Sequence, residues 1–145
     1  MSNVTEHIDR VVAYITAGDY LLVFTHLDYP EAGIQVPGGH PESNESMEEA
    51  VIRESIEETG LKDLEFLEYL GFIDLDLRAK GIGLERRHFY HLRYDGTLIE
   101  PWIHYEMEPS DGTPVPVRFM FRWVSLCEDI KLDWDHDAYL YKLVQ

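Results

Sequence analysis

Two runs rich in β-branched and aromatic residues, 8–15 (IDRVVAYI) and 20–26 (YLLVFTH), flank the turn signal TAGD and predict a β-hairpin. The loop HLDYPEAG follows. A short strand over 34–37 (IQVP) then runs directly into the paired glycines Gly38 and Gly39. From 46 to 59 the chain contains neither Gly nor Pro, Ser46 stands three residues before Glu49 as a capping box requires, and Gly60 supplies a left-handed stop. This predicts a helix over 46–59. Strands return over 63–77 and 84–94, joined by the loop RAKGIG. The stretch 100–116 carries four of the seven prolines and reads as an irregular excursion. Residues 117–126 alternate, with Phe119, Phe121 and Trp123 on one face and Arg118, Met120 and Arg122 on the other. The chain closes with DHDAYLYKLV, a short helix capped by Asp133 or Asp135. Neither a repeat nor a linker interrupts this order, so residues 1–145 are expected to form a single domain.

Composition narrows the class. At 45% hydrophobic and 12% aromatic, the chain belongs with ordered globular proteins despite its charge. That charge is -16, from 28 acidic and 12 basic residues, and it argues against a long nucleic acid as the main partner. A small anionic substrate fits only if divalent metal offsets the meeting of phosphate with carboxylate. The single cysteine, Cys127, has no internal disulfide partner, and the N-terminus lacks the order of a signal peptide, so a cytoplasmic location is expected. No apolar stretch approaches the roughly 20 residues needed to span a bilayer.

The helix carries the chemistry. Glu54, Glu57 and Glu58, spaced i, i+3 and i+4, fall on one arc, and three converging carboxylates repel one another unless hydrated or bound to a cation. Met47, Ala50 and Val51 share that arc, while Ile52 and Ile56 lie opposite, which suggests a helix packed between layers with its carboxylates aimed at a groove. Hard divalent ions such as Mg2+ or Mn2+ take such oxygen ligands and keep positions for substrate phosphates. The Gly38-Gly39 turn lets a main-chain oxygen approach as a further ligand, and Arg53 is placed to fix a neighbouring carboxylate by a bidentate pair.

This segment resembles the Nudix box, in which a glycine is followed at set spacing by a glutamate, an Arg-Glu pair, a Glu-Glu pair, a glycine and an apolar residue. Gly39, Glu45, Arg53, Glu54, Glu57, Glu58, Gly60 and Leu61 all match, and the one departure is Ser55 in an apolar slot. The resemblance implies an α/β Nudix fold, an α/β/α sandwich around a mixed β-sheet, and metal-dependent hydrolysis of a nucleoside diphosphate linked to another group. It implies Glu57 and Glu58 as ligands of Mg2+ or Mn2+ with the Gly39 carbonyl close by, Glu54 as ligand or base, Arg53 as the residue holding Glu54, and Glu45 as support. It also implies one acid from outside the box, for which Glu106, Glu108 and Asp111 stand in the excursion; Glu106 is the choice. The motifs associated with subfamilies cleaving dinucleoside polyphosphates, coenzyme A, NADH or ADP-ribose do not stand out. The alternative function is a Nudix-fold module that senses a nucleotide without cutting it.

Other residues admit two readings. His40, beside Gly39, is a substrate contact or a turn histidine without a role. Trp102 and Tyr105 are the candidates for stacking a base, whereas Phe119, Phe121 and Trp123 suit a core face. His88 and His91, three apart on a strand, point to opposite faces and do not share an ion. Arg78, Lys80, Arg86 and Arg87 form a basic cluster that meets either substrate phosphates or surface carboxylates. A homodimer would be compatible with a domain of this size.

Overall fold

The computed structural model describes residues 6–99, 101–107 and 114–143. Its strands are β1 (Ile8–Ala17), β2 (Tyr20–His26), β3 (Ile34–Gln35), β4 (Gly38–Gly39), β5 (Leu64–Leu77), β6 (Gly83–Tyr94), β7 (Trp102–Glu106) and β8 (Val117–Ser125), with helix α1 (Met47–Thr59) between β4 and β5. They form one sheet in the order β5-β6-β1-β2-β8-β7, with β4 added to β1 and β3 to β2. Among the described residues only the β1–β6 pair is parallel, so the sheet is mixed.

The hairpin of β1 and β2 is paired only beside its turn, at Thr16 with Leu21 and Ala17 with Tyr20. Farther along, β1 turns its hydrogen-bonding edge to Gly38 and Gly39, and β2 turns its own to Ile34 and Gln35. The two halves of the sheet therefore part. Glycine is needed at this insertion: a Cβ on Gly38 would sit 2.5 Å from the Val11 carbonyl oxygen.

Alternation along β1 sends Val11, Ala13 and Ile15 to one face and Val12 and Tyr14 to the other. The first face packs against Ala50 and Val51 of α1, together with Leu92 and Phe121. Each such buried Val, Ile, Leu or Phe side chain contributes ~1.5–3 kcal/mol of transfer free energy. The opposite face packs against Leu132 and the C-terminal segment.

Helix α1 starts and stops as the sequence indicates. Ser46 accepts from the Glu49 amide at 3.1 Å, the Glu49 carboxylate accepts from the Ser46 amide at 3.0 Å, and Gly60 closes the helix at φ 77°. The expectation that both sides of the helix pack between layers is corrected. Ile56 is exposed and Ile52 only partly buried, because the sheet covers one side of α1 and nothing among the described residues covers the other.

Two further expectations change. The excursion 100–116 contains a regular edge strand, β7, paired with β8 from Trp102 opposite Phe121 to Glu106 opposite Val117. Its prolines all lie outside these five residues. The C-terminal helix is replaced by turns and a 3-10 turn at Leu140–Leu143. Trp134 and Asp135 take positive φ, which breaks a right-handed helix. Asp133 does not cap a helix either; its carboxylate accepts from the Ile34 amide at 2.8 Å, and its own amide donates to the Ile34 carbonyl at 2.8 Å. The sandwich thus has α1 on one face of the sheet and irregular chain on the other. Among the described residues, no helix is long and apolar enough to cross a membrane.

Candidate active site

Arg53 organises the carboxylates around it. Its Nε donates to Glu45 at 2.6 Å and its Nη2 to the same carboxylate at 2.9 Å, a bidentate pair with the loop that leads into α1. Its Nη1 donates to Glu54 at 3.0 Å and Glu57 at 3.1 Å, and its Nη2 also reaches the His40 carbonyl at 3.0 Å. One guanidinium therefore ties Glu45, Glu54, Glu57 and the glycine turn into a unit.

The glycine turn lies against this unit with no room for a side chain. A Cβ on Gly39 would meet the Glu54 carboxylate at 2.2 Å. The Gly38 amide donates to Glu58 at 3.1 Å, so the backbone of β4 holds one helix carboxylate and abuts another.

Strand β7 closes the other side. The face made by Trp102, His104 and Glu106 lies over the end of α1: the Trp102 indole donates to the Thr59 carbonyl at 3.0 Å and His104 Nε2 to the Glu57 carbonyl at 2.7 Å. These bonds satisfy carbonyls that the last turn of a helix leaves without intrahelical partners. Two residues on, the same face delivers buried Glu106 to the acidic group. One oxygen each from Glu54, Glu57 and Glu106 lies within 4.8 Å of the others.

Glu54, Glu58 and Glu106 are buried, while the Glu57 side chain is 38% exposed. Burial raises Glu54 above the usual carboxylate range, against the pull of Arg53. Burial also pushes Glu58 well up, and repulsion from Glu106 adds to it. Buried oxygen donors that resist ionising beside one another form the kind of set a hard divalent cation stabilises. The geometry fits such an ion through Glu54, Glu57 and Glu106, with Glu58 and the Gly39 backbone adjoining.

A cleft of about 750 Å³ opens where β1 and β2 part. Glu58, Glu106, Gly38 and His40 reach it from the helix side, and Phe24, His26, Tyr29 and Phe119 give it an aromatic wall. Phe119 thus serves both the core and the cleft. Arg87 of the basic cluster joins Arg10, Glu85 and His136 in a further wall, and these last three were not singled out from the sequence. Its clue lay in the parallel pairing of β1 with β6, which sets Arg10 beside Arg87.

Trp102 and Tyr105 are not brought to the cleft. Trp102 stacks on Phe121, with centroids 5.2 Å apart, and Tyr105 is exposed on the edge strand. The basic cluster is divided: Arg78 and Arg86 pair with Asp76 and Asp74 at the surface, Lys80 lies over the Trp134 ring, and Arg87 turns inward to Glu85. His88 bonds to Asp9 and His91 to Thr16, so each has a separate partner. Glu108 and Asp111 lie outside the described residues.

Solved structures share this fold. A UDP-X diphosphatase aligns at 18% identity and TM-score 0.63, over 99% of this chain and 66% of that one. A MutT NUDIX hydrolase from Burkholderia pseudomallei aligns at 22% identity and TM-score 0.64, over 95% of this chain and 98% of that one. A bifunctional NMN adenylyltransferase/ADP ribose pyrophosphatase from Francisella tularensis, complexed with AMP and Mn ion, aligns at 20% identity and TM-score 0.61, over 99% of this chain and 42% of that one. The chain therefore spans just under two thirds of the first and less than half of the third. No curated protein gives a significant sequence match. The family model for the NUDIX domain matches residues 6–143, nearly the whole length, and the chain belongs to that family.

Proposed function

We propose that this protein is a divalent-metal-dependent pyrophosphohydrolase acting on a small nucleoside diphosphate derivative. The observation that carries the reading is the convergence of Glu54, Glu57 and Glu106, of which Glu106, with buried Glu58, lines a cleft with an aromatic wall. The similarity to a UDP-X diphosphatase and an ADP ribose pyrophosphatase supports a diphosphate linkage as the target. The net charge of -16 disfavours long nucleic acid.

Glu54, Glu57, Glu58 and the Gly39 carbonyl would hold Mg2+ or Mn2+, with Glu106 completing the acidic set. When bound, the metal offsets charge on the diphosphate oxygens and lowers the pKa of the attacking water. Glu54 and Glu106 are the carboxylates available to take the proton from that water, and burial, which raises Glu54, makes it a better base than an exposed glutamate. Arg53 keeps Glu54 and Glu57 oriented, and Glu45 keeps Arg53 oriented. Within the cleft Phe24, Tyr29 and Phe119 offer ring faces to a base.

The test is release of phosphate or pyrophosphate from nucleoside di- and triphosphates, nucleotide sugars and dinucleotides, with Mg2+ or Mn2+ and with chelator. Metal-dependent turnover of one class is expected, with Glu57→Gln reducing it by about 10²-fold or more. Compounds that raise the melting temperature yet stay intact would replace this reading with nucleotide sensing.

A further inference from the structure

Arg10 is set apart from the other arginines. Arg53, Arg78, Arg86, Arg87, Arg93 and Arg118 each hold a carboxylate, and Arg122 is exposed. Arg10 is half-buried in the wall of the cleft and has no hydrogen bond or ion pair among the described residues. In a chain with 28 acidic residues, a carboxylate partner would be easy to supply. A guanidinium partly withdrawn from water without one is costly unless a ligand completes it.

The surrounding groups indicate what that ligand carries. Arg10 shares its cleft with Glu58 but makes neither a hydrogen bond nor an ion pair to it. Arg87, its neighbour across the β1–β6 register, is committed to Glu85 and to the Trp134 carbonyl. His136 is buried, and its Nδ1 accepts from the Val36 amide at 3.0 Å, which places its proton on Nε2 and keeps the ring neutral. Among the described residues the wall thus offers an uncommitted guanidinium, in the same cleft as Glu58 and Glu106.

We propose that Arg10 binds a phosphoryl oxygen of the substrate's diphosphate, on the side of the diphosphate away from the Glu54, Glu57 and Glu106 set. This rests on the hydrolase reading and deepens it. The diphosphate is gripped from two sides, by metal on the carboxylates and by a planar fork whose spacing matches two phosphoryl oxygens. Arg10 is accordingly a substrate-binding residue.

Inorganic pyrophosphate is the probe, because it carries the diphosphate without any particular nucleoside. Calorimetric titration of the full chain with pyrophosphate in Mg2+ should show Arg10→Gln weakened about tenfold or more, with Arg10→Lys in between. A separate titration with Mn2+ alone should differ by less than about twofold between Arg10→Gln and wild type, since Arg10 is no metal ligand. Equal pyrophosphate affinity in Arg10→Gln and wild type overturns the proposal, as does a wild-type chain that does not bind pyrophosphate. Parallel loss of Mn2+ and pyrophosphate binding would assign Arg10 to maintaining the site and would overturn it as well. Neither titration reads hydrolysis, so a chain that cleaves no compound counts against the hydrolase reading alone.

Discussion

Gly39→Ala tests the packing of the glycine turn against the acidic helix. The new Cβ would lie 2.2 Å from the Glu54 carboxylate, where ordinary contact begins at 3.4 Å, so the carboxylate must retreat by about 1.2 Å, the difference of the two. Gly39 has no positive φ, so the perturbation is steric and carries no backbone strain. Glu54 has little room to yield: it is buried and is held by Arg53 at 3.0 Å. Overpacking of this kind costs ~1–3 kcal/mol. For a domain of this length that is a fall in melting temperature of roughly 3–10 °C. On the role proposed for Glu54, a displacement of ~1 Å there should also cost about 10²-fold in turnover. Thermal melts with and without Mn2+ read the stability and the integrity of the metal site. The variant should melt lower and lose most of the Mn2+-induced rise expected of the wild type. Shortening the clashing partner gives the control: Gly39→Ala with Glu54→Asp should be more stable than the sum of the two single changes allows. A Gly39→Ala chain with unchanged melting temperature and unchanged response to Mn2+ would refute the packing argument.

Glu58 governs how metal-free stability depends on pH. Its folded pKa is raised well above the ordinary 4.5 by burial, so the stability it contributes is full below about pH 4.5 and is lost as pH rises through the raised value. Glu45 and Glu49 are held low by hydrogen bonds and act in the opposite sense, so the measurement is the difference between Glu58→Gln and wild type in chelator. That difference should favour the variant increasingly with pH, by at most ~1.4 kcal/mol per unit, and Mn2+ should reverse it; a gap independent of pH would show that Glu58 does not titrate this way. Ser55 is buried and its hydroxyl has no hydrogen-bond partner among the described residues. Ser55→Ala should therefore stabilise the protein by ~1 kcal/mol in urea melts, and a destabilised variant would mean that the hydroxyl is satisfied after all.

The legible part of this protein was the part built from neighbours in the chain. The capping box at Ser46, the stop at Gly60 and the i, i+3, i+4 spacing of Glu54, Glu57 and Glu58 act within a few helical turns, so their geometry follows from local rules. The hairpin strands and β8 were legible for the same reason, through side-chain alternation and turn residues. Strand β7 was hidden because prolines crowd its flanks, and what makes it a strand is pairing with β8 and bonding to the end of α1, neither of which is local. The C-terminal segment carries helix-forming residues, yet the Asp133–Ile34 and His136–Val36 bonds hold it in turns instead.

What the sequence by itself determined, then, was the helix, its carboxylates and the glycine turn that meets them, since the local periods of strand and helix leave those residues little choice. What only the tertiary structure decided was the cleft, because its walls come from β1, β2, β6, β7 and the C-terminal segment, and their meeting depends on long-range register. Arg10 and Arg87 became neighbours through the parallel pairing of β1 with β6, and Glu106 reached the acidic set because β7 is anchored to α1. Such pairings are selected by the free energy of the whole packed sheet, to which no short stretch of chain has access.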